Sequence, residues 1–373
     1  MQDLARDLFG HVTPLKIKTE GIKYAGSKLK LIPFISDLVD EIGPQSVLDG
    51  FSGTTRVSQA LAQKGYEVTC ADISLWSYVM GTCYLLGDEP RRYSELIQYL
   101  NSVPPRDGWF TEHYGGNPQA EGEIKHPWQR HNTQKLDAIR EEIDKLNLSD
   151  VEKSVALTSL MLALDRVDNT LGHFASYLKG WSKRSFNKLV LEVPKIVETQ
   201  KRHTVLKQDI FKAVEGRRFD LAYLDPPYGS NNEKMPPSRV RYASYYHIWT
   251  TVCANDRPDI FGAARRREDS RDAIAGSVFE DFRKDGSGEY IAVNAIKRIL
   301  SAVEADHIIL SYSSGGRATA DELREAIDQI GELVSVREID YKRNVMAGMR
   351  WTNDWVRDAE DSNLEFLFHI AKR

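Results

Sequence analysis

Apolar positions along the chain follow two rhythms. Short β-branched or aliphatic runs bounded by turn residues fall at Ser46–Asp49, Glu67–Ala71, His203–Lys207, Asp220–Leu224 and His307–Tyr312, the pattern of strands buried on both faces. Helical spacing separates most of them, which predicts an α/β fold built on a mainly parallel, doubly wound sheet with helices on both sides. Two later runs, Leu333–Ile339 and Leu364–Ile370, are expected to close the sheet with an antiparallel pair. From about Glu89 to Pro194 the strand rhythm stops and helical signals dominate. There Leu136, Ile139, Ile143 and Leu146 repeat at three and four to give one apolar stripe. Ser149 with Glu152 fits a capping box opening an apolar helix through Leu164. Pro104–Pro127 reads as a long irregular surface connection. The expected organisation is therefore a domain formed by 1–88 and 195–373, interrupted by an inserted helical lobe at 89–194 and carrying a loop insertion at about 229–290.

Composition adds little to that outline. A chain of 373 residues is too long for one minimal domain, and 41% hydrophobic with 28% charged residues is ordinary for a folded protein. No stretch approaches the roughly 20 apolar residues of a membrane span. Met1–Gly10 lacks an apolar run ahead of a small-residue cleavage site, so secretion is not indicated, and an odd count of three cysteines points to a reducing, cytoplasmic location. Cys70, Cys83 and Cys253 lack paired metal-ligand spacing and read as small buried hydrophobes; no metal site is expected. The net charge of −4 weighs against nucleic-acid binding only if charge is evenly spread. It is not: Lys179, Lys183, Arg184, Lys188, Lys195, Lys201 and Arg202 face only Glu192 and Glu198 in their segment, and Arg265, Arg266, Arg267 and Arg271 form a second cluster.

The chemistry concentrates where strands end. Asp225-Pro226-Pro227-Tyr228 follows the apolar run Leu221–Leu224 directly, at the edge where open parallel sheets bind ligands. An exocyclic amino nitrogen on a purine is a poor nucleophile because its lone pair is delocalised into the ring. The Asp225 carboxylate and the Pro226 carbonyl suit the task of accepting its two hydrogens and aiming the lone pair at a methyl donor. Pro226 and Pro227 stiffen the turn, and Tyr228 offers a face for base stacking worth about 1–3 kcal/mol. An Asp-Pro turn alone ends many strands, so the upstream context decides. Asp49, Gly50, Phe51, Ser52, Gly53, Thr54 and Thr55 form a strand-to-helix turn that lets backbone approach a nucleoside. Asp72, followed by Ile73 at the end of the next strand, suits ribose hydroxyls. Asp209, with Ile210 and Phe211, suits the edge and faces of an adenine ring.

These residues carry a resemblance. The chain resembles the DNA adenine methylase family of N6-adenine DNA methyltransferases over nearly its whole length. Lys23-Tyr24-Ala25-Gly26-Ser27-Lys28 is similar to the family's methionine-binding motif, which implies that Tyr24, Ala25, Gly26 and Lys28 serve the cofactor. The loop Asp49–Thr55 is similar to its cofactor loop, with Thr55 where many members have glycine. Asp72 and Asp209 match its ribose and adenine contacts, and Asp225–Tyr228 its catalytic motif. The motif order resembles the family's alpha arrangement. Asn169–Phe174 and Tyr245-Tyr246-His247 also look like family segments.

The resemblance implies a Rossmann-like sheet, S-adenosylmethionine as cofactor, target recognition by the helical lobe, base flipping and direct in-line transfer to adenine N6 in double-stranded DNA. It also implies a cognate restriction endonuclease as a partner and activity at the nucleoid. Phosphate contacts are expected from Lys179, Lys183, Arg184, Arg265, Arg266 and Arg267, with His173 and Trp181 either touching DNA or buried. N4 of cytosine is the alternative target, because the same clamp suits any ring amino group. A catalytically silent DNA-binding protein on this fold is the alternative from another class.

Overall fold

The computed structural model describes residues 17–120, 126–228, 242–281, 283–340 and 364–373. Seven strands form one sheet: β1 (Ser46–Asp49), β2 (Glu67–Asp72), β3 (Thr204–Lys207), β4 (Arg218–Leu224), β5 (Glu304–Ser313), β6 (Gly331–Asp340) and β7 (Leu364–Lys372). Their spatial order is β6-β7-β5-β4-β1-β2-β3. From β5 through β3 all neighbours are parallel, whereas β7 runs antiparallel to both β5 and β6. The expected antiparallel pair is therefore present, with the last strand inserted between β5 and β6. The order reverses between β4 and β1, so their carboxyl ends flank the crevice where such sheets take ligands. This is the doubly wound, Rossmann-like arrangement.

The central strands are apolar because both faces are covered. Val47, Leu48, Leu221, Ala222 and Leu224 are fully buried. Helices α1 (Ile32–Ile42) and α2 (Arg56–Gln63) pack on one face, and α8 (Ile210–Val214), α10 (Ile291–Ala302) and α11 (Ala320–Ile330) on the other. Helix α3 (Leu75–Leu86) is apolar almost all round, as required of a helix lodged between the sheet and a second layer.

That second layer is the helical lobe: α4 (Ser94–Ser102), α5 (Trp109–Tyr114), α6 (Arg130–Lys145) and α7 (Asp150–Arg166) share one core with α3. The α6 stripe faces inward through Leu136, Ile139 and Ile143, and the Ser149/Glu152 capping box opens α7. Two segments depart from the expected loops. Pro104–Pro127 contains α5, whose Phe110 and Tyr114 are buried; Asp137 on α6 accepts the backbone N–H groups of Phe110 and Thr111 at 2.9 and 2.8 Å. Of that connection 121–125 lie outside the described residues. The insertion at about 229–290 contains α9 (His247–Ala254), which adds Ile248, Trp249 and Val252 to the lobe core; 229–241 and 282 lie outside the described residues, as does Met1–Gly10. Buried Arg140 ties α6 to α9 by donating to the carbonyls of Val252 and Cys253 at 2.7 and 3.1 Å. All three cysteines are free and buried. Among the described residues no helix is long and apolar enough to cross a membrane.

Candidate active site

The site lies at the carboxyl edge of β1, β2 and β4. Gly50 continues β1, its N–H bonded to the Tyr223 carbonyl at 3.0 Å. A Cβ there would come within 2.8 Å of Ile210 Cδ1 and of Leu224 Cδ2, so any larger residue would have to displace those two side-chain ends in the core. The loop then folds against β2: Ser52 N–H donates to the Ala71 carbonyl at 3.1 Å, and Gly53 N–H to Asp72 Oδ2 at 2.9 Å. Asp72 Oδ1 accepts Ser74 N–H at 2.8 Å. Each Asp72 oxygen keeps lone pairs for further donors, and Ile73 beside it is 70% exposed, an unusual position for so apolar a side chain. Thr54 and Thr55 are buried, and Thr55 opens α2 at φ 60°. A β-branched residue is strained in that left-handed conformation. That is the physical reason for the glycine many family members have there.

Asp49 is buried. Its Oδ2 accepts Ser58 N–H and Oγ–H at 3.1 and 2.6 Å, while Oδ1 has no partner among the described residues. Burial, only partly offset by Ser58, pushes its pKa up to about 7. Asp209 is exposed and caps α8 by accepting Phe211 N–H at 3.0 Å. Phe51 and Phe211 both pack on Phe279, with ring centroids 5.1 and 5.9 Å apart.

The segment ahead of α1 closes the site from the other side. Tyr24 stacks within 5.3 and 4.6 Å of Tyr242 and Tyr246, and its ring lies 3.4 Å from where a Gly53 Cβ would stand. Ala25 N–H donates to the Tyr246 hydroxyl at 2.5 Å, and Gly26 takes φ 86°. The turn Lys28–Lys30 then sends Lys28 inward. Its Nζ lies 3.0 Å from Asp225 Oδ1 and 2.7 Å from Glu365 Oε1, and also donates to the Tyr228 hydroxyl. Lys28 is thus placed on the carboxylate of the expected catalytic motif, with which its assignment to the cofactor did not connect it. Tyr228 donates to Asp225 Oδ1 at 2.6 Å, contacts Glu365, and packs edge-on against Tyr312. Pro226 is buried and Pro227 half-buried between them. Burial raises the Asp225 carboxyl and the Lys28 ammonium beside it draws it back, leaving it at about 6. For Lys28, burial lowers the pKa, but Asp225 and Glu365 outweigh it and raise it. Tyr228 stays protonated, its pKa raised by burial and by both carboxylates.

The family model for D12 class N6 adenine-specific DNA methyltransferases matches residues 24–281, from Tyr24 through the Asp225–Tyr228 turn and beyond. The chain belongs to this family. Curated relatives include modification methylase StsI of Streptococcus sanguinis, 28% identical over 342 residues, covering 86% of this chain and 48% of that protein. Modification methylase LlaI of Lactococcus lactis subsp. lactis is 25% identical, covering 87% and 52%. Type II methyltransferase M.NlaIII of Neisseria lactamica is 25% identical, covering 86% and 92%. The chain therefore spans about half the length of the StsI and LlaI methylases and nearly all that of M.NlaIII.

In this D12-class chain the basic residues singled out by sequence divide into two groups. Lys179 and Lys183 are exposed. Arg184 is engaged: its Nε lies 2.7 Å from the buried Asp168, which Lys23 also reaches at 2.6 Å. Arg265 donates to the Glu112 carbonyl at 3.0 Å, and Arg266 to the Ser270 carbonyl at 2.6 Å. Arg267 is buried between Asp256 and Asp269, at 2.7 Å from each, so its charge is already neutralised. The two family-like segments meet: Phe174 N–H donates to the Tyr245 carbonyl at 2.8 Å, and buried His173 stacks on Tyr245 at 4.6 Å. Sequence reasoning missed Glu365 and Ser311, which donates to Glu365 at 2.8 Å. Its one available signal was that an antiparallel last strand must begin at the edge where the parallel strands end.

Proposed function

We propose that this chain methylates the N6 amino group of adenine at specific sites in double-stranded DNA, with S-adenosylmethionine as methyl donor. The observation that carries the reading is Asp225. It is a carboxylate at the carboxyl end of β4, at the switch point, followed directly by two prolines and beside the end of β1, where Gly50 N–H bonds the Tyr223 carbonyl. The residues around the loop after β1 fit the donor. A buried oxygen on Asp49 that is unpartnered among the described residues, spare lone pairs on Asp72 and exposed Ile73 suit a nucleoside bearing a charged tail.

When bound, S-adenosylmethionine supplies an electrophilic methyl group on a positively charged sulfur. Asp225 and the Pro226 carbonyl accept the hydrogens of the target nitrogen and turn its lone pair away from the ring. Forming the nitrogen–carbon bond would break the bond from that carbon to sulfur, whose electron pair stays on sulfur and neutralises it; the nitrogen is left with one proton to shed, and the Asp225 carboxylate, with its pKa lifted to about 6, is a better acceptor for it than an ordinary carboxylate. Reaching the base requires its extrusion from the duplex. Asp72 would hold the ribose hydroxyls of the donor and Asp209 its adenine edge. Exposed Lys179 and Lys183 take DNA phosphates, and as a modification enzyme the chain shields its sites from an endonuclease of matching specificity. Such work belongs in the cytoplasm, at the nucleoid.

Nucleoside mass spectrometry of duplex DNA incubated with the protein and S-adenosylmethionine is expected to show N6-methyladenine. N4-methylcytosine, or no modified base, would overturn the reading. Asp225→Ala is expected to lose transfer by at least about a thousandfold while binding the donor normally; near-normal turnover would remove Asp225 from its role.

A further inference from the structure

Glu365 is a carboxylate in an unexpected place. It is 7% exposed, on a strand whose next inward-facing neighbour, Leu367, is fully buried. Placing a carboxylate in such surroundings is unfavourable unless its partners compensate. Among the described residues its partners are all in the candidate site or fixed beside it: Lys28, Tyr228 and the fully buried Ser311. The antiparallel course of β7 explains its location. β7 begins where β5 ends, in register Glu365 with Ser313, so its first residues reach the edge at which β4 delivers Asp225. A single ammonium, Lys28, is therefore shared between two carboxylates, at 3.0 and 2.7 Å.

This sharing matters because of what Lys28 occupies. In the free protein its N–H donors, together with the Tyr228 hydroxyl, fill Asp225 Oδ1, the kind of acceptor that the target's amino group needs. Resting on the functional reading above, we propose that Glu365 is a positioning residue. It draws the Lys28 ammonium and the Tyr228 hydroxyl away from Asp225 when a target amino group arrives, so that Asp225 is free to accept it. Without Glu365 the whole of the Lys28 charge falls on Asp225, which then binds the ammonium in competition with substrate and becomes a weaker proton acceptor. The other groups facing Asp225 do not replace it. Tyr24, Tyr223, Tyr228 and Tyr242 are all kept protonated by burial, and Asp49 lies behind on β1 with its own bonds to Ser58.

The test compares the full-length protein with Glu365→Gln and Glu365→Asp. The Asp225 carboxyl is titrated by NMR on protein carrying 13C-labelled aspartate, without DNA or donor, and methyl transfer to duplex DNA is measured alongside. Expected for Glu365→Gln are a fall of the Asp225 pKa by about one unit, a drop in kcat of more than tenfold, and an unchanged KM for S-adenosylmethionine. Glu365→Asp, which keeps the charge, should recover at least a third of kcat. An Asp225 pKa that stays put in Glu365→Gln overturns the proposal, and so does a kcat within twofold of the parent. A parent protein that methylates no DNA overturns the functional reading instead, and the titration then decides the sharing by itself.

Discussion

Asp225 shows how much a single environment sets. In water its carboxyl would titrate near 3.9; burial raises it and Lys28 restrains the rise, to about 6. A protonated Asp225 loses its place as acceptor, so kcat/KM for DNA is expected to fall about tenfold per pH unit below about pH 6. A rate that held down to pH 4.5 would show that some other group accepts. Gly50 acts by what it lacks: Gly50→Ala pushes a methyl group to within 2.8 Å of Ile210 and Leu224. It should cost about 1–3 kcal/mol, read by urea unfolding. Both residues were legible in the sequence because strand-ending acids and glycine-bearing turns state their geometry locally. Glu365 was not. In Leu364–Ile370 it is one polar position in an ordinary strand, and only the pairing of β7 with β5 brings it to a carboxylate 140 positions earlier.

At the scale of elements, strands were the easiest to read, since β1, β2 and β4 are short apolar runs stopped by aspartates and their burial admits little else. Two helices were hidden for opposite reasons. α5 is only six residues long and depends on Asp137 from α6 to satisfy its first N–H groups, a partner that no local pattern announces. α9 is buried on nearly every side, so it has no polar face to reveal a helical period. Its carboxyl end relies on Arg140, whose guanidinium satisfies two carbonyls. Arg140→Met keeps the apolar stem but leaves those acceptors buried and unpaired, a loss on the order of 2–3 kcal/mol. Hydrogen exchange should then quicken in α9 and along the facing turns of α6 before it does in the sheet; uniform loosening of the whole molecule would argue against so local a role.

For the molecule as a whole, a net charge of −4 requires that any DNA-binding surface be segregated from the acidic remainder. Sequence alone cannot tell a cation aimed at solvent from one used inside the fold, and here the two kinds alternate within a few residues. Lys179 and Lys183 are exposed, whereas Arg184 is held by Asp168 and Arg267 is enclosed by Asp256 and Asp269. Phosphate contacts release counterions and so set the salt dependence of binding, at roughly one unit of slope per contact. Replacing both Lys179 and Lys183 with alanine should therefore weaken binding to duplexes of any sequence and reduce the slope of log affinity against log salt by about two. Arg267→Ala should leave that slope where it was and instead lower the melting temperature, because it empties the buried place of the Arg267 side chain and removes its bonds to Asp256, Asp269 and Thr251. Should the slope follow Arg267 and ignore the two lysines, the DNA-facing side of the molecule would have to be sought at the short ladder Ile260–Phe261 with Arg266–Arg267 rather than along the segment that carries Lys179 and Lys183.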